Sequence, residues 1–125
     1  MEIATSGTSG SAVEVELKLR DSDCFFVDAS AVADCRVELE HLVNRSDDRL
    51  LEYFTVEGAP PDRVLSIAEG STTIDEARLI NRGFDGGLFE FVVSGPCVTT
   101  TLADTGAVAR SVSAESGVGA VLADV

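Results

Sequence analysis

The chain has 125 residues, 22 of them aspartate or glutamate against 9 lysines and arginines, for a net charge of −13. That length suits one hydrophobic core and one domain. The charge speaks against a surface that grips phosphates; the longest apolar runs fall short of the roughly 18 residues a membrane helix needs, and Met1–Ser11 lacks the basic-then-apolar order of a signal peptide, so a soluble cytoplasmic protein is expected.

Residues 1–11, rich in Ser, Thr and Gly, read as a disordered tail, leaving 12–125 as a single α+β domain. A first strand follows, with Val13, Val15, Leu17 and Leu19 inward and Glu14, Glu16, Lys18 and Arg20 outward. Asp21-Ser22-Asp23 breaks it, and Cys24–Ala33 is expected to form a short helix that lays Phe25, Phe26 and Val32 on the core. Arg36–Val43 alternates again, with Val37, Leu39 and His41 on one side and Glu38, Glu40 and Leu42 on the other. Asn44–Asp48 is a polar turn into a strand at Leu50–Glu57. Pro61 then starts a helix whose Val64, Leu65 and Ala68 share one face, and Gly70 ends it. A strand around Glu76–Ile80 leads through the glycine-rich link 82–87 into a strand at 87–93. Pro96 opens a second helix with the pair Val98 and Leu102 and a stop at Gly106. Strands at 108–113 and 118–125 around Glu115-Ser116-Gly117 complete the chain.

Two stretches are near copies, Leu50-Leu51-Glu52-Tyr53-Phe54-Thr55-Val56-Glu57-Gly58 and Gly87-Leu88-Phe89-Glu90-Phe91-Val92-Val93-Ser94-Gly95. Each runs into a proline-started helix and then a strand. Two strand-helix-strand units in tandem predict a ferredoxin-like antiparallel sheet with its helices on one face, a duplicated β-α-β arrangement with extra N- and C-terminal strands. The opposite face is not empty of apolar groups, since Leu51, Tyr53, Leu88 and Val92 alternate with the inward set. It calls for a second cover, expected partly from the N-terminal segment and partly from a second subunit, as in a homodimer, or from another domain.

No catalytic constellation stands out, and no enzyme activity, cofactor or metal is expected. His41 is the lone histidine and reads as structural, Glu38 and Glu40 read as a solvated face, and the serines lack a nucleophile elbow. Cys24, Cys35 and Cys97 are odd in number without C-x-x-C spacing, so all three are expected as ordinary thiols. The most site-like positions are the equivalent turns Gly58-Ala59-Pro60 and Gly95-Pro96-Cys97, where a glycine lets a ligand approach the backbone and a helix start offers N–H groups to an anion. Gly58, Ala59, Gly95, Pro96 and Cys97 are therefore the candidate ligand-binding residues.

The acidic excess would repel itself in dilute buffer but is screened at multimolar salt, where the Debye length falls below about 3 Å. Lysine depletion, with Lys18 alone among the nine cations, points the same way, toward a halophile's cytoplasm. Asp34–Glu40, Arg49–Gly58 and Gly86–Val112 resemble the bacterio-opsin activator family of haloarchaeal transcription regulators, and the likeness spans roughly residues 12–125. It implies a regulatory, sensory or assembly domain that accompanies GAF or PAS sensors and precedes a DNA-binding helix-turn-helix. No basic recognition helix occurs in this chain, so direct nucleic-acid contact is not expected of it, and the downstream DNA-binding domain is the implied partner. The alternative is a stand-alone small-molecule-binding domain similar to ACT domains, which share the expected topology.

Overall fold

The computed structural model describes residues 2–9, 12–20, 24–94, 101 and 105–125. Among these residues eight strands and two helices follow in the order β1 (Glu2–Ser9), β2 (Ala12–Arg20), α1 (Phe25–Val32), β3 (Arg36–Asn44), β4 (Leu50–Glu57), α2 (Pro61–Glu69), β5 (Ile74–Gly83), β6 (Gly86–Val93), β7 (Val108–Glu115) and β8 (Val118–Asp124). They form one antiparallel sheet in the order β1-β2-β8-β7-β3-β4-β6-β5. The α+β class is as expected. Among the described residues no helix is long and apolar enough to cross a membrane.

Both described helices pack on the same sheet face. Alternation along β4 and β6 directs Phe54, Val56, Phe89 and Phe91 toward them, each no more than 2 % exposed. From α1, Phe26 stacks on Phe54 with ring centroids 5.9 Å apart, and Phe25 tilts against Phe91 at 4.8 Å. Val64 and Ala68 of α2 reach the same core. Asp62 in the first turn of α2 complements the positive helix end, and Gly70 caps its other end as expected. Helix α1 departs from expectation at Val32, which is half exposed, while Val27 takes a core position.

The duplicated ferredoxin-like arrangement is not what the strand order shows. β4 and β5 both run antiparallel to β6 between them, so they are parallel to each other and α2 makes a true split crossover. β6 and β7 are instead separated by β4 and β3 and run antiparallel. The first unit therefore has the expected β-α-β form and the second does not. The helix expected between Pro96 and Gly106, with Val98 and Leu102, lies outside the described residues apart from the helical Thr101 and the turn at Thr105.

Glu2–Ser9, expected as a disordered tail, pairs with β2 and extends the sheet edge instead of covering its open face. Alternation in β3 also breaks. A bulge between Leu39 and His41 keeps Val37, Leu39 and Leu42 on the helix side and turns His41 and Val43 outward. An inserted residue reverses every later side chain of the strand, which a simple period-two reading misses. Cys35 is a free buried thiol, but Cys24 is disulfide-bonded, unlike the ordinary thiol expected. A bridge depends on which side chains meet in space, and spacing along the chain does not report that.

The sheet is two four-stranded halves joined by a short seam. β3 and β7 pair only at Arg36↔Glu115, Val37↔Ala114 and Glu38↔Ser113. Close by, Ser30 Oγ donates to Val27 O at 2.8 Å and accepts the Gly117 N–H at 3.0 Å, while Ser116 N–H donates to Cys35 O at 3.2 Å. Those contacts pin α1 and the turn after it to the β7–β8 hairpin.

Candidate functional site

The open sheet face carries the richest chemistry. Strand alternation places Leu51, Tyr53 and Thr55 of β4 beside Val92, Glu90 and Leu88 of β6, on the side away from both helices. Tyr53 OH donates to Glu90 Oε2 at 2.5 Å, and Arg78 of β5, opposite Glu90 in the ladder, holds the same carboxylate at 3.2 Å. The His41 ring stands edge-on to Tyr53 with centroids 6.5 Å apart. The β3 bulge is what brings it there.

Electrostatics follow from those contacts. The hydrogen bond from Tyr53 holds the Glu90 carboxyl below its ordinary range, helped by the Arg78 guanidinium and by Arg45, against a smaller upward push from burial. The same bond pushes the Tyr53 phenol up, with burial and the Glu90 charge adding to it. Tyr53 therefore stays a neutral donor and Glu90 a charged acceptor across the neutral range. That fixes geometry but supplies no proton for chemistry.

Ion pairs continue outward. Arg36 lies 3.4 Å from both Glu38 and Glu115, and Arg110 lies 3.2 Å from Asp124 and 3.9 Å from Glu14. At the margin Asp47 links Arg45 to Arg49, which also approaches Asp75 at 3.4 Å. Of the nine cationic residues, only Arg63 on α2 and Arg82 near the end of β5 lie away from this face and its margin. In a chain of net charge −13, both signs interleave on this side.

Of the two turns expected to bind a ligand, Gly58-Ala59-Pro60 is the one that lies among the described residues. Gly58 has φ +94°, its N–H donates to Asp85 O at 2.8 Å, and a side chain there would touch Cys35, so its glycine serves a tight turn. Ala59 is buried. Pro60 and Pro61 have no N–H to offer an anion, and the Pro60 carbonyl is taken by Arg63 and Val64. Gly95, Pro96 and Cys97 lie outside the described residues. Glu38 and Glu40 share the open face, with Glu40 accepting from Thr55 Oγ1 at 2.9 Å and Glu38 held by Arg36. Among the described residues no group of three His, Cys, Asp or Glu side chains is arranged to hold a metal ion.

Two glutamates on the central strands stand out in the structure and not in the sequence. Glu52 is 4 % exposed on the helix side of β4, between Leu50 and Phe54 and opposite Phe91. Its parity with Phe54 and Val56 was the available signal. Glu90 is its counterpart on the open face, in step with Leu88 and Val92.

A family model described as BAT, the GAF and HTH_10 associated domain, matches residues 11–125. No curated protein and no solved structure matches the chain.

Proposed function

The chain belongs to the BAT family of GAF and HTH_10 associated domains, and from that premise we propose that it is the regulatory and assembly module of a transcription regulator, acting on a DNA-binding helix-turn-helix carried elsewhere in the full protein. The family match over residues 11–125 carries this reading. The charge supports an indirect role. Phosphate recognition needs cations free to displace counterions, and Arg36, Arg45, Arg49, Arg78 and Arg110 are each held by carboxylates of the same chain. The module works by binding and not by catalysis, with the open face as the surface on which a neighbouring domain or second subunit docks. Its acidity and single lysine support a haloarchaeal cytoplasm as its setting. The ACT-like alternative rested on a duplicated topology that the strand order does not have.

The test is an electrophoretic shift of promoter DNA in KCl, comparing this chain with the full-length regulator. The chain alone is expected to leave the DNA unshifted where the full-length protein binds, and Glu90→Lys in the full-length protein is expected to alter its DNA affinity. Equal binding by the isolated chain would overturn the reading.

A further inference from the structure

In the middle of the sheet, where strands are normally paired on both sides, β3 and β7 behave as edges. Their ladder ends at Glu38↔Ser113, and beyond it the two strands diverge around a cleft of about 340 Å³ lined by Leu39–Leu42 and Ala107–Val112. Burial follows the pairing. Val37, Val112 and Ala114 are buried beside the seam, whereas His41–Asn44 and Val108–Ser111 are exposed. Each strand also has a bulge at the cleft, between Leu39 and His41 in β3 and between Ala109 and Ser111 in β7. Bulges terminate pairing and redirect strands.

Each wall keeps its outer ladder, β3 with β4 and β7 with β8, so the main-chain groups pointing into the cleft have no ladder partner among the described residues. Backbone N–H and C=O groups in such a row are a template for another strand. We propose that this cleft is an acceptor slot for an extended polypeptide segment that enters between β3 and β7 and completes both ladders. The occupant must be unpaired along both edges. A second folded copy cannot supply it from the described residues, because its edge strands β1 and β5 are each already paired on one side. A segment without structure of its own, such as an interdomain stretch of a partner polypeptide, meets the requirement.

The walls also specify its pattern. Leu39, Leu42 and Val112 lie on the helix side, in register with Phe54, Glu52 and Val121, while Glu40, His41 and Arg110 lie toward the open face. Since successive side chains of a strand point to opposite faces, the segment should alternate apolar with polar residues over about four positions. This inference goes beyond the regulatory reading and does not depend on what the chain does to DNA.

The test uses the intact chain in KCl and a dye-labelled hexapeptide of alternating valine and threonine, followed by fluorescence anisotropy and by amide shifts of the protein. Binding is expected with shifts concentrated at residues 39–44 and 108–112. N-methylation of the peptide's amides, which removes its donors, should weaken binding at least tenfold. Val108→Asp should do the same without loss of fold, because this side chain is 62 % exposed; Val118→Asp, at 38 % exposed and away from the cleft, should not. Absence of binding, equal binding of the N-methylated peptide, shifts confined to β1 or β5, or self-association of the chain through residues 39–44 would each overturn the proposal.

Discussion

Gly119 on β8 faces α1 at a point where no side chain fits. A Cβ there would lie 2.6 Å from Val27 Cγ2, 3.3 Å from Leu19 Cβ and 3.4 Å from Phe26 Cε2. Carbon atoms in contact prefer about 3.5–4.0 Å, so Val27 would have to withdraw by roughly 1 Å. It is 2 % exposed and has no solvent to withdraw into. Overpacking of this kind costs about 1–3 kcal/mol. Against it stands a gain of about 0.4–1 kcal/mol from the restricted unfolded chain when glycine becomes alanine. Gly119 is not among the glycines held at positive φ, so backbone strain adds nothing. Gly119→Ala is therefore expected to destabilise by about 1–2 kcal/mol, on the order of 4–8 °C in melting temperature. Val27→Ala removes the obstructing methyl groups at its own cost of about 1–3 kcal/mol. In that background Gly119→Ala should become neutral or stabilising. Thermal and urea melts of the four proteins at one KCl concentration measure the coupling. An equal cost of Gly119→Ala in both backgrounds would refute the packing of α1 on β8 described above.

Tyr53→Phe removes the main cause of the lowered Glu90 pKa. Because that pKa is lower folded than unfolded, its stabilisation is present above the unfolded value and lost as pH falls through the folded one. The variant should lose less stability on acidification, while the Glu90 carboxyl titrates at higher pH, as followed by carbon-13 NMR. Tyr53 itself acts in the opposite window: its raised pKa stabilises below the unfolded phenol value and ceases to do so as pH rises through the folded one, so the wild type should show an alkaline loss that the variant lacks. Cys35 is 4 % exposed and its thiol is pushed up by burial and by the charge of Asp34, so a disulfide-exchange reagent should label it only on unfolding. Gly86→Ala should cost about 3 kcal/mol or more by urea titration, since φ is +142° and the new Cβ would meet Val56 O at 1.9 Å. Melting temperature should rise with KCl from dilute buffer into the molar range, and a maximum at low salt would exclude charge screening as the reason for the acidic composition.

Strands and short helices were readable because each has an apolar period that burial enforces. Leu17 and Leu19, Phe54 and Val56, and Phe89 and Phe91 all fall inward as alternation requires. Topology was not readable from the same signal. The near copies at 50–58 and 87–95 turn out to include the adjacent central strands β4 and β6, each flanked by strands on both sides and facing the helices on one side. Equal surroundings produce similar sequences, and the likeness records those surroundings more than a repeated β-α-β unit. The bulge that turns His41 toward Tyr53 was hidden for a related reason: one extra residue in a strand leaves composition unchanged while reversing every side chain after it. Individual members of the open-face network were visible as charged or aromatic residues, but their convergence depends on β5, β6, β4 and β3 lying side by side.

The seam joins those observations mechanically. Its three paired positions, the Arg36–Glu115 ion pair, the Ser116–Asp34 hydrogen bond at 2.6 Å and the Gly117 N–H bond to Ser30 Oγ all lie at one end. The other end opens into the cleft. α1 bridges the division, packing on β7 and β8 of one half and on β3 of the other, while its Phe26 stacks on Phe54 of β4. An exposed ion pair such as Arg36–Glu115 contributes at most about 1 kcal/mol, so the halves are held together chiefly by the ladder pairs, the hydrogen bonds at the turn and the packing of this helix. A segment wedged into the open end would act against that packing, and its effect would reach His41 and Tyr53 through β3. The slot and the open face are thus two sides of the same strand.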